Sequence, residues 1–314
     1  MGLKSKQALN FKQFLNFGSQ MVEFIRLDES KSDEVEALLR PLRRWAWLSR
    51  ITLISWGALE DFHYTFIHGK IVLRMRTFDL DENKTYYIYP FRESFDPQVI
   101  RELKESVGGG DVRLMASKED LPFYRDHFEL KLPVIELPNR AEYLYLRSDL
   151  AELPGRKYQP KRNHINNFLR KYGEYLYEPL DEKHVEGCKE LLKWWIYERF
   201  GYIPESYPER DVDLYYLDNF RRLGMRGGTV TASGRVVAFC LGFEISDDTF
   251  NVCLEKADRD MEGAYTIINR DFSRSLPEKY TYINREDDMG DEGLRRAKIS
   301  YHPTELLRKY EIVI

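Results

Sequence analysis

Apolar and polar positions along this chain predict the same order of elements twice. In the first half, residues 22–27 alternate as in a strand, and residues 32–39 and 45–59 repeat with the spacing of helices. Three further alternating segments predict an antiparallel meander, and a helix, a strand, a helix and a strand follow it. These later segments are 63–68, 71–78, 85–91, 96–107, 112–116, 118–128 and 143–146. Asp96 followed by Pro97 is typical of a helix start.

The second half repeats this order. A short strand and a long helix are followed by a second helix, three strands, and then helix, strand, helix and strand. The segments are 175–177, 182–200, 214–223, 228–231, 236–245, 249–254, 263–275, 280–284, 292–297 and 310–314. The repeat predicts an α/β protein with two tandem mixed-sheet domains. Because Pro154 and Gly155 interrupt regular structure, we expect these domains at 21–154 and 155–314, with 1–20 as an N-terminal extension.

The composition is that of a folded, acidic protein. Its 314 residues allow two domains of about 150 residues each, and its net charge of −4 argues against a uniformly basic coat for DNA. The cysteines Cys188, Cys240 and Cys253 form no CxxC motif, so we expect core thiols and no metal site. No apolar run reaches the ~18 residues of a membrane span. We therefore expect no transmembrane segment and a cytoplasmic location.

A basic segment without acidic residues spans 156–171. The candidate ligands of a polyanion in and around its helix are Lys157, Lys161, Arg162, Asn163, Asn166 and Arg170. Arg162, Asn166 and Arg170 are spaced by four residues, which predicts one polar stripe beside a buried one. Such a stripe suits tRNA, coenzyme A or another phosphorylated ligand. A solvated basic face, or an ion-paired helix between domains, would show the same pattern.

A turn connects the strand near Lys256 to the helix that begins at Gly263. A glycine in this position lets backbone N–H groups approach the phosphates of a ligand, and the helix dipole favours the same anions. Lys256, Arg259 and Gly263 are therefore candidate ligand-binding residues. Acidic residues interrupt the basic ones here, so a capped helix start with surface charge is the alternative reading.

Two segments resemble a known family. They are NVCLEKADRDMEGAYTIINRDFSRSLPEKYTYINREDDMGDEGLRRAKISYHP, which begins at Asn251, and GRKYQPKRNHINNFLRKYG, which begins at Gly155. Both resemble soluble relatives of the phosphatidylglycerol lysyltransferase C-terminal domain, which are tandem acetyltransferase-like (GNAT-like) proteins. The repeated element order is also that of the GNAT-like fold. The resemblance implies that the acyl donor enters where the sheet splays, at the end of the fifth strand.

The acidic turn after that strand holds the candidate catalytic residues. Aminolysis of an acyl ester needs a base for the attacking amine and donors for the oxyanion. Glu286 or Asp287 is the candidate base, and Asn284 would orient it or bind substrate. A divalent-metal site would also use carboxylates, but their spacing here is unspecific. The structural alternative is a turn in which Asp288 or Asp291 caps the next helix.

Residues 298–303 supply the last candidates. An extended backbone would place Lys298, Ser300 and His302 on one side. The resemblance assigns Lys298 and Tyr301 to a K-x-S-Y motif of the family. It implies that Tyr301 is the general acid for the leaving group and that Lys298 and Ser300 contact substrate. A structural tyrosine and a surface lysine are the alternatives.

The resemblance implies an acyl or aminoacyl transferase. Its donor would be aminoacyl-tRNA, its acceptor an amine or hydroxyl on a small or lipid-like molecule, and its active cleft would lie in the C-terminal domain. Acyl-CoA-dependent N-acylation is one alternative, and a non-catalytic module that binds a phosphorylated ligand is another. No cofactor beyond the donor substrate is expected. The first half lacks a comparable constellation and is expected to be a degenerate scaffold that completes the cleft.

Overall fold

The computed structural model describes residues 22–39, 45–57, 59–76, 84–91 and 95–314, so the predicted extension 1–20 lies outside the described residues. The elements of the first half are β1 (Ile25–Arg26), α1 (Glu29–Leu39), α2 (Arg50–Ser55), β2 (His63–Ile67), β3 (Lys70–Arg76), β4 (Thr85–Ile88), α3 (Pro97–Ser106), β5 (Arg113–Ser117), α4 (Leu121–His127), β6 (Ile135–Glu136), β7 (Glu142–Leu146) and α5 (Arg147–Glu152). Those of the second half are α6 (Gln159–Tyr172), β8 (Leu176–Pro179), α7 (Glu182–Phe200), α8 (Pro208–Asn219), β9 (Arg226–Ala232), β10 (Arg235–Ser246), β11 (Thr249–Ala257), α9 (Ala264–Ser275), β12 (Tyr282–Asn284), α10 (Glu292–Ile299), β13 (Glu305–Leu307) and β14 (Lys309–Val313).

The chain builds two seven-stranded mixed sheets with the same topology. The first has the order β1-β2-β3-β4-β5-β14-β6, and the second has the equivalent order β8-β9-β10-β11-β12-β7-β13. In each sheet an antiparallel meander leads to one parallel pair, β4 with β5 and β11 with β12. The predicted mixed α/β class and the predicted repeat of one element order are confirmed.

The sixth strand of each sheet comes from the other half of the chain. β7 lies between β12 and β13 in the second sheet, whereas β14 lies between β5 and β6 in the first. The prediction that 143–146 closes the first half and 310–314 the second was therefore wrong. A strand's own pattern shows that one of its faces is buried, but tertiary packing decides which sheet it joins. The exchange connects the two halves through backbone hydrogen bonds.

Local chemistry explains where several helices begin. Asp96 accepts a hydrogen bond from the N–H of Gln98 at 2.9 Å, with Pro97 in the first turn, as predicted. Asp291 caps α10 through the N–H of Leu294 at 2.9 Å, which was the structural alternative for this residue. β6, α5 and β13 were not predicted from the sequence. Each is too short to show a hydrophobic period.

Buried apolar layers cover both faces of the second sheet. On one face, Phe250 packs with Phe272 of α9 in a layer that also contains Phe168 of α6. On the other face, α7 and α8 form a layer that includes Ile51 of α2. The first half therefore packs against α8. The layers hold the helices on either side of the place where β11 and β12 separate.

Candidate functional site

The second sheet divides where β11 and β12 part. Their parallel pairing ends with Asn251 opposite Asn284. β11 continues to Ala257 and has a bulge at Cys253, whereas the chain after Asn284 stays hydrogen-bonded to the backbone of Tyr143 in β7. We call the space between these diverging segments the fork. It is the place where the family resemblance expects the acyl donor.

A half-buried carboxylate lies on the α8 side of the fork. Glu286 Oε1 accepts a hydrogen bond from Asn251 Nδ2 at 2.7 Å, and the Glu286 N–H donates to Asn284 Oδ1 at 2.7 Å. Burial raises the pKa of Glu286 to about 8, and the nearby Glu142 carboxylate acts in the same direction. A carboxyl with such a pKa is suited to general base catalysis near neutral pH. Burial also raises the pKa of Asp287.

Side chains of α10 hold the turn that carries these carboxylates. Lys298 Nζ donates to the backbone carbonyls of Arg285 at 2.6 Å and Glu286 at 3.3 Å, and also to that of Asp287. Lys298 is buried and belongs to α10, so the extended alternation expected for 298–302 was wrong. Asp288 pairs with Arg295 Nε at 2.8 Å. Among the ion pairs of the described residues, none joins Arg295 to Glu286 or to Asp287.

An ion pair crosses the α9 side of the fork. Arg285 Nη2 donates to Glu255 Oε1 at 3.0 Å, and its guanidinium carbon lies 5.0 Å from the centre of the Tyr301 ring. Lys161 Nζ lies 3.8 Å from the same ring centre and donates to Ser300 Oγ at 2.6 Å. Burial raises the pKa of Tyr301 to about 12 and lowers that of Lys161 to about 8. The structure thus brings the predicted residues Lys161, Ser300 and Tyr301 together.

The turn before α9 is packed against other parts of the chain. Lys256 is buried, donates to Glu209 Oε1 at 2.6 Å and lies 4.2 Å from the centre of the Trp195 ring. Gly263 has φ +98°, and a Cβ there would come within 2.5 Å of the His164 backbone oxygen in α6. The glycine is therefore required by the close approach of two helices. Of the three candidates in this turn, only Arg259 presents an exposed cation.

The candidate ligand-binding residues in and just before α6, the basic helix, do not share one surface. Arg162 Nη1 donates to the backbone oxygens of Leu153 and Gly155, the latter at 2.8 Å, so it closes the end of α5. Lys161 points inward to the fork. The exposed candidates are Lys157, Asn163, Asn166 and Arg170. The predicted stripe of Arg162, Asn166 and Arg170 is thus exposed only at its last two members.

Sequence reasoning missed several polar residues of the fork. Asn251 lies within a strand that was predicted only from its apolar positions. Glu255 of β11 and Asp213 of α8 lie just outside the predicted strand 249–254 and the predicted helix 214–223. Asn251 is fully buried and Asp213 is 4% exposed. A polar side chain inside an otherwise apolar strand is the signal that could have indicated Asn251, because buried polar groups need a partner. Nothing local indicated Asp213.

The first sheet has a fork of its own. β4 and β5 pair at a single position, and a cavity of about 580 Å³ lies where they separate. Aromatic residues form much of its wall, among them Trp45, Trp47, Tyr89, Phe91 and Phe123. In the described part of the chain, no group of three metal-ligating side chains is present. No helix among the described residues is long and apolar enough to cross a membrane.

Comparisons with known proteins agree with this architecture. The model of the family "Phosphatidylglycerol lysyltransferase, C-terminal" matches residues 51–313. A conserved protein of unknown function from Bacteroides thetaiotaomicron is 34% identical, with a TM-score of 0.83 over 94% of this chain and 100% of that one. The C-terminal domain of a putative lysylphosphatidylglycerol synthetase from Agrobacterium fabrum is 15% identical, with a TM-score of 0.61 over 90% of this chain and 91% of that one.

Two further relatives extend the comparison. The structure of L-PGS from Bacillus licheniformis is 17% identical, with a TM-score of 0.57 over 89% of this chain and 90% of that one. An uncharacterised protein of Mycoplasmoides gallisepticum is 21% identical over 192 residues, which are 55% of this chain and 56% of that protein. The aligned region thus spans little more than half of that relative. Family and fold together indicate a transferase of the acyl or aminoacyl kind, and the chain belongs to the phosphatidylglycerol lysyltransferase C-terminal family.

Proposed function

We propose that this chain transfers an aminoacyl group from aminoacyl-tRNA to an amine or hydroxyl acceptor, and that the fork of the second sheet is its reaction centre. The observation that carries the proposal is the position of Glu286. Its carboxyl lies half-buried at the point where β11 and β12 separate, hydrogen-bonded to Asn251 and with its pKa raised to about 8. A base with that pKa can take a proton from an acceptor and later release it.

The proposed reaction uses both sides of the fork. The acceptor nitrogen or oxygen attacks the ester carbonyl carbon of the donor while Glu286 takes its proton. The guanidinium of Arg285, fixed by Glu255, would stabilise the oxyanion. As the ester C–O bond breaks, the leaving oxygen accepts a proton from Tyr301, whose hydroxyl stays protonated at neutral pH because its pKa is raised to about 12.

The packing of the Gly263 turn favours aminoacyl-tRNA over acyl-CoA as the donor. A phosphate-binding turn needs open backbone N–H groups, whereas here the His164 backbone lies against Gly263. The exposed side chains of Lys157 and Arg170 would contact the RNA backbone. A reaction that consumes aminoacyl-tRNA takes place where tRNA is charged, so the proposed location is the cytoplasm.

Label transfer tests this function. The purified protein is incubated with tRNA charged with a mixture of radiolabelled amino acids, or with radiolabelled acetyl-CoA, in the presence of propylamine and glycerol as acceptors. We expect label to leave the tRNA and to appear in an amide or ester product. Transfer from acetyl-CoA alone would contradict the aminoacyl donor and support the alternative. No transfer above the rate without protein would contradict the enzymatic function.

A further inference from the structure

The fork of the first sheet encloses a cavity that the proposed reaction does not use. β4 and β5 pair only where Tyr87 lies opposite Leu114, and the cavity of about 580 Å³ begins at the next residue of each strand, Ile88 and Met115. Its place is equivalent to the fork of the second sheet, because the two sheets have the same strand order. Its volume falls within the ~300–1,000 Å³ that is typical of small-molecule sites. We call it the aromatic cavity.

Five aromatic rings from three separate segments form much of the cavity wall. Trp45 and Trp47 meet edge to face with their ring centres 6.2 Å apart, and Phe91 meets Phe123 in the same way at 5.2 Å. Tyr89 packs against Phe91 at 5.3 Å. Phe123 is 41% exposed and therefore lies at the mouth. A further ring in the cavity would gain aromatic contacts that an aliphatic chain cannot make.

One polar atom of this wall lacks a partner. Among the described residues, Trp47 Nε1 is one of the few buried side-chain nitrogens that make no hydrogen bond. The indole of Trp47 lines the cavity, and its N–H can only donate. Because buried donors in native proteins are nearly always paired, this N–H indicates a ligand that carries a hydrogen-bond acceptor.

The surroundings of the two indoles do not favour a cationic ligand. Lys309 Nζ lies 4.5 Å from the ring centre of Trp47 and 5.5 Å from that of Trp45, so both rings already interact with an ammonium group. The charged residues that line the cavity carry both signs; they are Lys118, Glu119, Asp120, Glu305 and Arg308. The cavity therefore favours an aromatic ring without favouring a charge.

We propose that the aromatic cavity binds a small molecule through an uncharged aromatic ring, and that an acceptor atom on this molecule receives the N–H of Trp47. The site goes beyond the proposed function, because it lies in the first sheet and takes no part in the transfer. An aliphatic chain would fill the same volume without aromatic contacts, and an aromatic cation would add a second positive charge beside Lys309. These two ligand classes are the alternatives that the test separates.

Saturation-transfer NMR titration of the full chain tests the site. The probes are naphthalene-2-carboxamide, its saturated analogue decahydronaphthalene-2-carboxamide, and trimethyl(naphthalen-2-yl)ammonium. The first two share the amide acceptor, and the third shares only the aromatic ring. We expect the aromatic amide to bind at least about fivefold more tightly than either of the others. A smaller preference over either compound, or no binding of the aromatic amide, would overturn the proposal.

Variants connect this binding with the aromatic cavity. Trp47→Phe keeps a ring but removes the N–H, and should weaken binding of the aromatic amide about fivefold, as expected for one hydrogen bond. Phe123→Ala removes the ring at the mouth and should weaken binding at least about threefold. Because Phe123 is exposed, this variant keeps the test decisive if Trp47→Phe does not fold.

The matched control is Tyr202→Ala, which removes an exposed ring from the second half of the chain and should leave the affinity unchanged. Unchanged affinity in either folded cavity variant would overturn the proposal. An equal loss in Tyr202→Ala and Phe123→Ala would do the same, because the aromatic amide would then bind without regard to the cavity.

Discussion

Asn284 Nδ2 donates a hydrogen bond to Glu142 Oε2 at 2.6 Å, and this bond joins the end of β12 to the exchanged strand β7. The same carboxylate accepts from Lys309 Nζ of β14 at 3.0 Å and from the N–H of Ala46 at 2.8 Å. Glu142, Asn284 and Lys309 are all at most 2% exposed. One buried carboxylate therefore connects the fork, both exchanged strands and the first half.

Removing that charge should destabilise the whole protein. Glu142→Gln removes the ion-pair partner of the buried Lys309 ammonium, and breaking a buried pair in this way typically costs about 3–5 kcal/mol. Urea denaturation should show this loss in the free energy of unfolding. The matched control is Glu136→Gln in β6, because the Glu136–Arg308 pair is exposed and should be worth at most about 1 kcal/mol. Equal effects of the two changes would contradict the role given to Glu142.

Glu286 should make the fold less stable as the pH rises. Its pKa is about 8 in the folded protein against an ordinary 4.5, so the folded state holds the proton more tightly than the unfolded state. Stability then falls as the pH rises between these two values. Glu286→Gln should remove this fall and be more stable than wild type by up to about 4 kcal/mol at pH 8.5. The exposed change Glu278→Gln serves as the control, and a fall with pH that persists in Glu286→Gln would contradict the raised pKa.

Local sequence patterns predicted most elements and the acidic turn. They did not predict the contacts between segments that are distant in the sequence. The bounds of α7 were predicted from its hydrophobic spacing, and the fork was expected from the family resemblance. The exchange of β7 and β14 could not be predicted. Both are buried strands, and their own residues do not indicate which of the two sheets they join. Arg162 and Lys298 looked like ligand-binding cations, but buried backbone carbonyls, invisible in the sequence, already occupy both.

Gly263 should be intolerant of a side chain for two reasons. Gly263→Ala adds a Cβ 2.5 Å from the His164 oxygen and places alanine at φ +98°. Gly234→Ala also has a positive φ, +77°, but no atom lies within 4 Å of its Cβ, so it isolates the cost of the backbone conformation. We expect thermal unfolding to show a loss of more than 1 kcal/mol for Gly263→Ala. A loss no greater than that of Gly234→Ala would contradict the close packing of α6 on this turn.

The two arginines of the basic helix should behave differently. Arg170→Glu changes an exposed cation and should weaken tRNA binding and its dependence on salt without changing stability. Arg162→Glu removes the hydrogen bonds to the end of α5 and should lower the unfolding temperature. Filter binding of tRNA and thermal unfolding measure these effects. Unchanged tRNA affinity in Arg170→Glu would contradict the RNA-binding role of this face.

The most direct test of the reaction centre is the transfer rate of Glu286→Gln, measured against wild type and Asp211→Asn with aminoacyl-tRNA and propylamine over a range of pH. For wild type we predict that the rate rises with pH through the pKa of about 8, because the base must be ionised. Glu286→Gln should lose a factor of about 10² to 10⁴ in rate, together with this pH dependence. Asp211→Asn, an exposed acid-to-amide change in α8, is the control and should match wild type. A folded Glu286→Gln protein that transfers at the wild-type rate, with the wild-type pH profile, would contradict the assignment of the fork as the reaction centre.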